Sequence, residues 1–180
     1  MDVLGLAVTF AMVVFWRFLS DVCTATWKRW SAKGRQRPGF DAYWMGVAVA
    51  ASTRASCPRA SVGAVAVDAD NCIIVTGYNG APTGEPHCVD VGCDLRDRHG
   101  RMSCYRTEHA ERNMVRFAKE HDRALLGSTV YCTLQPCRKC AEALRDAGVF
   151  RVVYMGDYPD AATLKLFKDA DMVVEQLILK

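Results

Sequence analysis

Apolar and polar positions along this chain repeat with two different periods, and the changes of period mark out its elements. Residues 41–55 place Trp44, Val47, Ala48 and Ala51 on one helical face, with Asp41 positioned to cap a helix running to about Ala55. SVGAVAVDADN reads as a strand followed by a turn, and CIIVTGYN reads as a second strand, so the pair predicts a hairpin. A long loop rich in Gly, Pro, Cys and His then runs from Gly80 to about Arg106. So long a loop in a compact domain is either functional or pinned by something.

The second half alternates strictly. EHAERNMVRFAKEH is helical, with Ala110, Met114 and Phe117 at helical spacing. STVYCTL is a strand, CRKCAEALRDAG a helix ending at Gly148, and FRVVYMGD a strand. ATLKLFKDA is a helix and MVVEQLIL a last strand. Strand–helix alternation implies βαβ units, hence an α/β fold with a buried sheet and helices on both faces.

The N-terminal stretch breaks this pattern. Val3 to Trp16 is almost wholly apolar, and a polar, basic segment follows it to Pro38. Residues 1–38 therefore read as an extension, and 39–180 as the domain. A membrane span needs about 20 apolar residues, which this stretch does not reach, and Asp2 is a poor start for a signal peptide. It reads as a helix packing on a partner or on the domain, as a marginal membrane anchor, or as a dispensable extension. Association with a membrane through residues 3–16 is the less favoured reading.

Charge divides the same way. Of 23 Lys/Arg and 20 Asp/Glu, residues 1–38 hold six and two, leaving a domain with 17 basic and 18 acidic residues. A near-neutral body favours a small substrate over a polynucleotide, which calls for a basic face. The nine cysteines are odd in number, and a window from Cys88 to Cys104 concentrates several of them. Metal binding in a reducing compartment, the cytoplasm, explains that better than disulfides do.

Two short motifs carry the chemistry: His109-Ala110-Glu111 and Pro136-Cys137-Arg138-Lys139-Cys140. Cysteines three apart share one helix face, and a helix N-terminus favours thiolate. Pro136 fits a first helical turn. His109 and Glu111 lie about 200° apart around an ideal helix, so they converge only if His109 sits at an irregular helix start. Thr107 is placed to cap such a start. Two thiolates and one imidazole give Zn²⁺ three ligands and leave a position for water, the catalytic pattern. Glu111 is then the acid/base that is not a ligand, and H-x-E with P-C-x-x-C is the signature of zinc deaminases.

The phrases SCPRASVGAVAVD, TGYNGAPTGEPHC, CYRTEHAERN and LQPCRKC, in that order, resemble the deoxycytidylate (dCMP) deaminase family of the cytidine deaminase superfamily, its bacterial and phage type. The resemblance covers about Asp41 to Lys180. It implies a three-layer α/β/α fold with a five-stranded mixed sheet, hydrolysis of dCMP to dUMP and ammonia for thymidylate synthesis, and a homo-oligomer, hexamer or dimer. It implies dCTP and dTTP as effectors, with Mg²⁺ accompanying the allosteric nucleotide. By position, His109, Cys137 and Cys140 match the zinc ligands and Glu111 the proton shuttle. Asn79 matches the residue that reads the nucleotide, while Arg54, and more weakly Tyr154 and Tyr158, are candidates for its phosphate end. A second, structural zinc is implied on Cys57, Cys88 and Cys104, with Cys93 favoured over His87 or His99 as the fourth ligand. Cys23, Cys72 and Cys132 stand apart.

Other readings compete. A deaminase of dCTP or of a modified dCMP shares all these motifs. A tRNA adenosine deaminase shares H-x-E and P-C-x-x-C but lacks the GYNGAPTG phrase and wants a basic face. A zinc-stapled binding module has no use for Glu111.

Overall fold

The computed structural model describes residues 21, 24, 37–98, 100–157 and 161–178. The expectations for residues 3–16, Cys23, His99 and Tyr158 lie outside the described residues. By contact the chain divides into two units, Met1–Pro38 and Gly39–Lys180. No helix among the described residues is long and apolar enough to cross a membrane.

The second unit is a mixed five-stranded sheet in the order β2-β1-β5-β6-β7. Its strands are β1 (Gly63–Val67), β2 (Ile73–Tyr78), β5 (Thr129–Leu134), β6 (Arg151–Gly156) and β7 (Val173–Gln176). β1 runs antiparallel to β2 and β5, whereas β5, β6 and β7 are parallel. The parallel connections are helical, as a crossover requires: α4 (Arg138–Asp146) joins β5 to β6, and α5 (Ala161–Asp169) joins β6 to β7. Gly148, at φ 77°, ends α4 in the left-handed conformation that glycine adopts without strain.

Period-2 alternation in β1, β5 and β6 sends their side chains to two cores. On one face α1 (Phe40–Ser52) buries Trp44, Met45 and Ala48 against Val65, Val67, Tyr131 and Val153. On the other, α3 (Ala110–Glu120), α4 and α5 bury Ala110, Met114, Ala118, Leu144 and Phe167 against Ala64, Ala66, Val130, Cys132 and Val152. Each large side chain so buried contributes about 1.5–3 kcal/mol relative to exposure. The α3 stripe is 110, 114 and 118; Phe117, expected on it, is exposed and stacks on His121 with centroids 4.0 Å apart.

Three further expectations are corrected. Asp41 does not cap α1: Gly39 is the N-cap, and the Asp41 carboxylate instead takes Arg151 Nη1 at 2.8 Å and the Tyr131 hydroxyl at 2.8 Å. The helix stops at Ser52, not Ala55. The loop from Gly80 to Arg106 contains structure: a short helix, α2 (Cys88–Val91), and a hairpin of β3 (Leu95–Arg98) and β4 (Arg101–Cys104).

Candidate functional site

Two helix starts meet beyond the carboxyl end of β5. His109 is the N-cap of α3 (φ −72°, ψ 155°), and Cys137 is the N-cap of α4 (φ −74°, ψ 167°). N-cap side chains ordinarily bond to the first free amides of the helix. Here neither makes a side-chain capping bond, so both are available to a ligand. Thr107 is therefore not the cap, and Pro136 precedes the first turn of α4. Because His109 lies outside α3, the helical angle that would separate it from Glu111 does not apply.

His109 Nδ1 lies 3.5 Å from Cys137 Sγ and 3.4 Å from Cys140 Sγ, and the two sulfurs are 3.6 Å apart. Zinc bonds of about 2.3 Å to sulfur and 2.0–2.1 Å to nitrogen, at tetrahedral angles, span edges of about 3.5–3.8 Å. The triangle therefore fits one face of a tetrahedral zinc site. The hydrogen-bonded pairing of Cys137 with Cys140 lowers the Cys137 pKa to about 4, against burial and with further help from His109. The same pairing, with burial, raises Cys140. The bond to Cys137 raises His109 against burial. Glu111, in the first turn of α3, is 3 % exposed, and burial raises its carboxyl.

A second group lies on the long loop. Cys88, Cys93 and Cys104 hold their sulfurs within 4.8 Å of one another, with Cys88 and Cys104 3.6 Å apart. Thr107, in place of capping, sits at these sulfurs, 3.2 Å from Cys88 and 3.7 Å from Cys104. Although burial opposes it, Thr107 draws Cys104 down to about 7, while burial and then Cys88 push Cys93 up to about 11. Cys57 is buried but stands outside this group, and His87 Nδ1 is 2.8 Å from the Ser56 hydroxyl.

Of the nucleotide-facing expectations, Asn79 is 4 % exposed, and its amide is engaged within the fold. It donates to Ala60 O at 2.8 Å and accepts from Val62 N at 2.7 Å. Arg54 is exposed in the turn after α1. Tyr154 is not at the surface: strand alternation puts it in the larger core, paired in register with Cys132. Cys132 itself is wholly buried, which raises its thiol. A pocket of about 460 Å³ opens at the other end of β6, lined by Asp41, Arg151, Val153, Glu175, Gln176 and Leu177.

Sequence reasoning missed Asn113, Glu108 and Arg116. These bind the start of α3 to the end of β2, and Asn113 was detectable only as the residue one helical turn after His109. It also missed Gln135, whose buried amide nitrogen has no hydrogen-bond partner.

Comparison with known proteins gives a coherent result. A family model of the cytidine and deoxycytidylate deaminase zinc-binding region matches residues 38–156. The chain is 36% identical over 145 residues to ComE operon protein 2 of Bacillus subtilis (strain 168), covering 80% of this chain and 74% of that one. It is 38% identical over 125 residues to the deoxycytidylate deaminase of Mycobacterium phage D29, covering 66% of this chain and 95% of the phage protein. Among solved structures, the dCMP deaminase of cyanophage S-TIM5 in complex with dCMP and dUMP superimposes with a TM-score of 0.66 and 26% identity. That match covers 79% of this chain and all of the phage chain (100%).

Proposed function

The chain belongs to the cytidine and deoxycytidylate deaminase zinc-binding family, and on that premise we propose that it hydrolyses dCMP to dUMP and ammonia, supplying dUMP for thymidylate synthesis. The observation that carries this is the triangle of one ring nitrogen and two sulfurs with a buried carboxyl, Glu111, beside it. The phage relative named for dCMP, and the phage structure that holds dCMP and dUMP, support base, sugar and single phosphate.

His109, Cys137 and Cys140 would hold Zn²⁺. Bound there, the ion supplies Lewis acidity that makes a water reactive near neutral pH. The Glu111 carboxylate takes one proton from the attacking water and hands it to ring N3, then takes the second from the hydroxyl now on C4 and delivers it to the amine leaving C4. Water's oxygen ends on C4, and nitrogen leaves as ammonia. By position in the motif, Asn79 is assigned to the sugar and base side of the nucleotide and the exposed Arg54 guanidinium to its phosphate.

The finer expectations belong to the same proposal. Cys88, Cys93 and Cys104 hold a structural zinc, with Cys57 assigned as its further ligand. The enzyme is a cytoplasmic homo-oligomer, hexamer or dimer, switched by dCTP and dTTP with Mg²⁺.

A substrate panel of dCMP, CMP, dCTP and deoxycytidine tests the reaction, with dCMP expected to be converted fastest. Glu111→Gln should lower turnover by about 10²–10⁴ while zinc is retained. No turnover of any of the four by the wild-type protein would overturn the enzymatic reading.

A further inference from the structure

Residues Tyr78 to Gly80 run beside the backbone that carries His109. Gly80 and Glu108 exchange two backbone hydrogen bonds, at 3.1 and 2.9 Å, immediately before the histidine. This short stretch is thus the wall of the site on the β2 side, and Asn79 lies at its middle. Asn79 in turn ties the wall to Ala60 and Val62, at the start of β1.

Beyond that backbone pair, the Asn113 side chain ties the wall to the helix. The Asn113 amide nitrogen donates to Tyr78 O at 3.0 Å and to Gly80 O at 3.2 Å, the carbonyls on either side of Asn79. Its oxygen accepts from Arg116 Nη2 at 2.9 Å. Both donors and the acceptor of the amide are therefore used, and the residue is only 9 % exposed. Arg116 is steered in turn by Glu108 at 3.3 Å and Glu120 at 2.7 Å. Losing the amide would leave two carbonyls at the wall without these donors.

The helix itself does not depend on that bond. Ala110, Met114 and Ala118 are at most 1 % exposed, and Gly77 lets β2 press directly on Ala110 and Met114. His109 and Glu111 are thus held by packing, while the position of residues 78–80 relative to them is set by the Gly80–Glu108 backbone pair and by Asn113.

We propose that Asn113 is a positioning residue that fixes the nucleotide-facing end of β2, Tyr78–Gly80, against the helix bearing the zinc ligand and the proton shuttle. It governs how the nucleotide is seated and leaves the chemical step largely alone. This rests on the proposed deaminase reading.

Asn113→Asp keeps the volume and the Arg116 partner but removes both donors. Asn113→Ser keeps one donor on a shorter arm. The assay measures kcat and KM for dCMP in wild type and both variants, with zinc content and circular dichroism on the same samples. The expected result is a KM for dCMP raised at least tenfold in Asn113→Asp and by a smaller factor in Asn113→Ser. In both, kcat stays within about threefold of wild type and zinc per chain is unchanged. Either variant alone decides the matter. An unchanged KM, whether kcat is lost in step with zinc or stays at the wild-type value, overturns the positioning role. Wild-type protein that fails to convert dCMP would instead count against the functional reading.

Discussion

At the scale of single residues, an ionic network outside the site joins Asp41 with Arg151, Tyr131 and Glu175. Asp41 takes Arg151 through two oxygens, at 2.8 and 2.9 Å, and Glu175 pairs with the same guanidinium. Arg151, foremost, holds the Asp41 carboxyl below its usual range, and Tyr131 is pushed up to about 12 by burial and then by Asp41. The sign follows from the direction. A carboxyl whose folded pKa lies below its unfolded value, about 3.9, adds stability above that value and loses it as pH falls through the folded pKa. The Asp41 side chain is 39 % exposed, so solvent screening limits the gain to about 1 kcal/mol or less. Asp41→Asn should therefore be slightly less stable than wild type at pH 6–7, and the difference should shrink as pH falls below about 3.9 and through the folded pKa. Urea midpoints measured at pH 6–7 and at successively lower pH check this, and a difference that does not shrink with pH would remove the ionic explanation. Asp41 was misread from sequence because its partner lies 110 residues away, whereas capping is a local signal.

At the scale of elements, β2 and α3 approach as closely as backbone allows, and Gly77 is the reason. A Cβ at Gly77 would meet the Ala110 carbonyl oxygen and Met114 Cβ, the latter at 2.6 Å. Gly77→Ala forces strand and helix apart at a cost of about 1–3 kcal/mol, with a loss in Tm of about 2–4 °C per kcal/mol for a chain of this size. Since α3 begins at His109, zinc affinity should weaken with it; calorimetry and metal titration on the one variant read both. Unchanged values of both would show that the contact relaxes without strain. The regular elements were legible because their periods are clean. The Ala/Val run gave β1, the apolar runs CIIV and STVYCTL gave β2 and β5, and the helical spacing of Ala110 and Met114 gave α3, although Phe117 does not share their face. The β3–β4 hairpin was not legible, because LRDR and RMSC show no buried alternation and are held by pairing and nearby thiols. In the site, the zinc triangle was legible from motif spacing. The Asn113 bonds were not, since a donor aimed at two carbonyls more than 30 residues upstream leaves no periodic trace.

At the scale of the whole domain, two thiol-rich sites are built on different foundations. The triangle of His109, Cys137 and Cys140 stands on α3 and α4, whose apolar faces lie in the main core. The group of Cys88, Cys93 and Cys104 stands on the loop, whose neighbouring apolar side chains Val89, Val91, Leu95 and Met102 are 46–62% exposed. A segment with so little burial cannot offset the conformational entropy of ordering it, about 1–2 kcal/mol per residue, and needs a cross-link. A zinc ion on these three sulfurs and a fourth ligand meets that need. Two zinc ions per chain are therefore expected by metal analysis. A Cys88→Ser, Cys104→Ser double variant should retain one. Its amide protection should fall across residues 88–104, while β1, β5 and β6 stay protected, because no strand of the main sheet depends on the loop for its register. One zinc in the wild-type chain, or loss of protection spreading into the main sheet of the double variant, would contradict this division of the molecule.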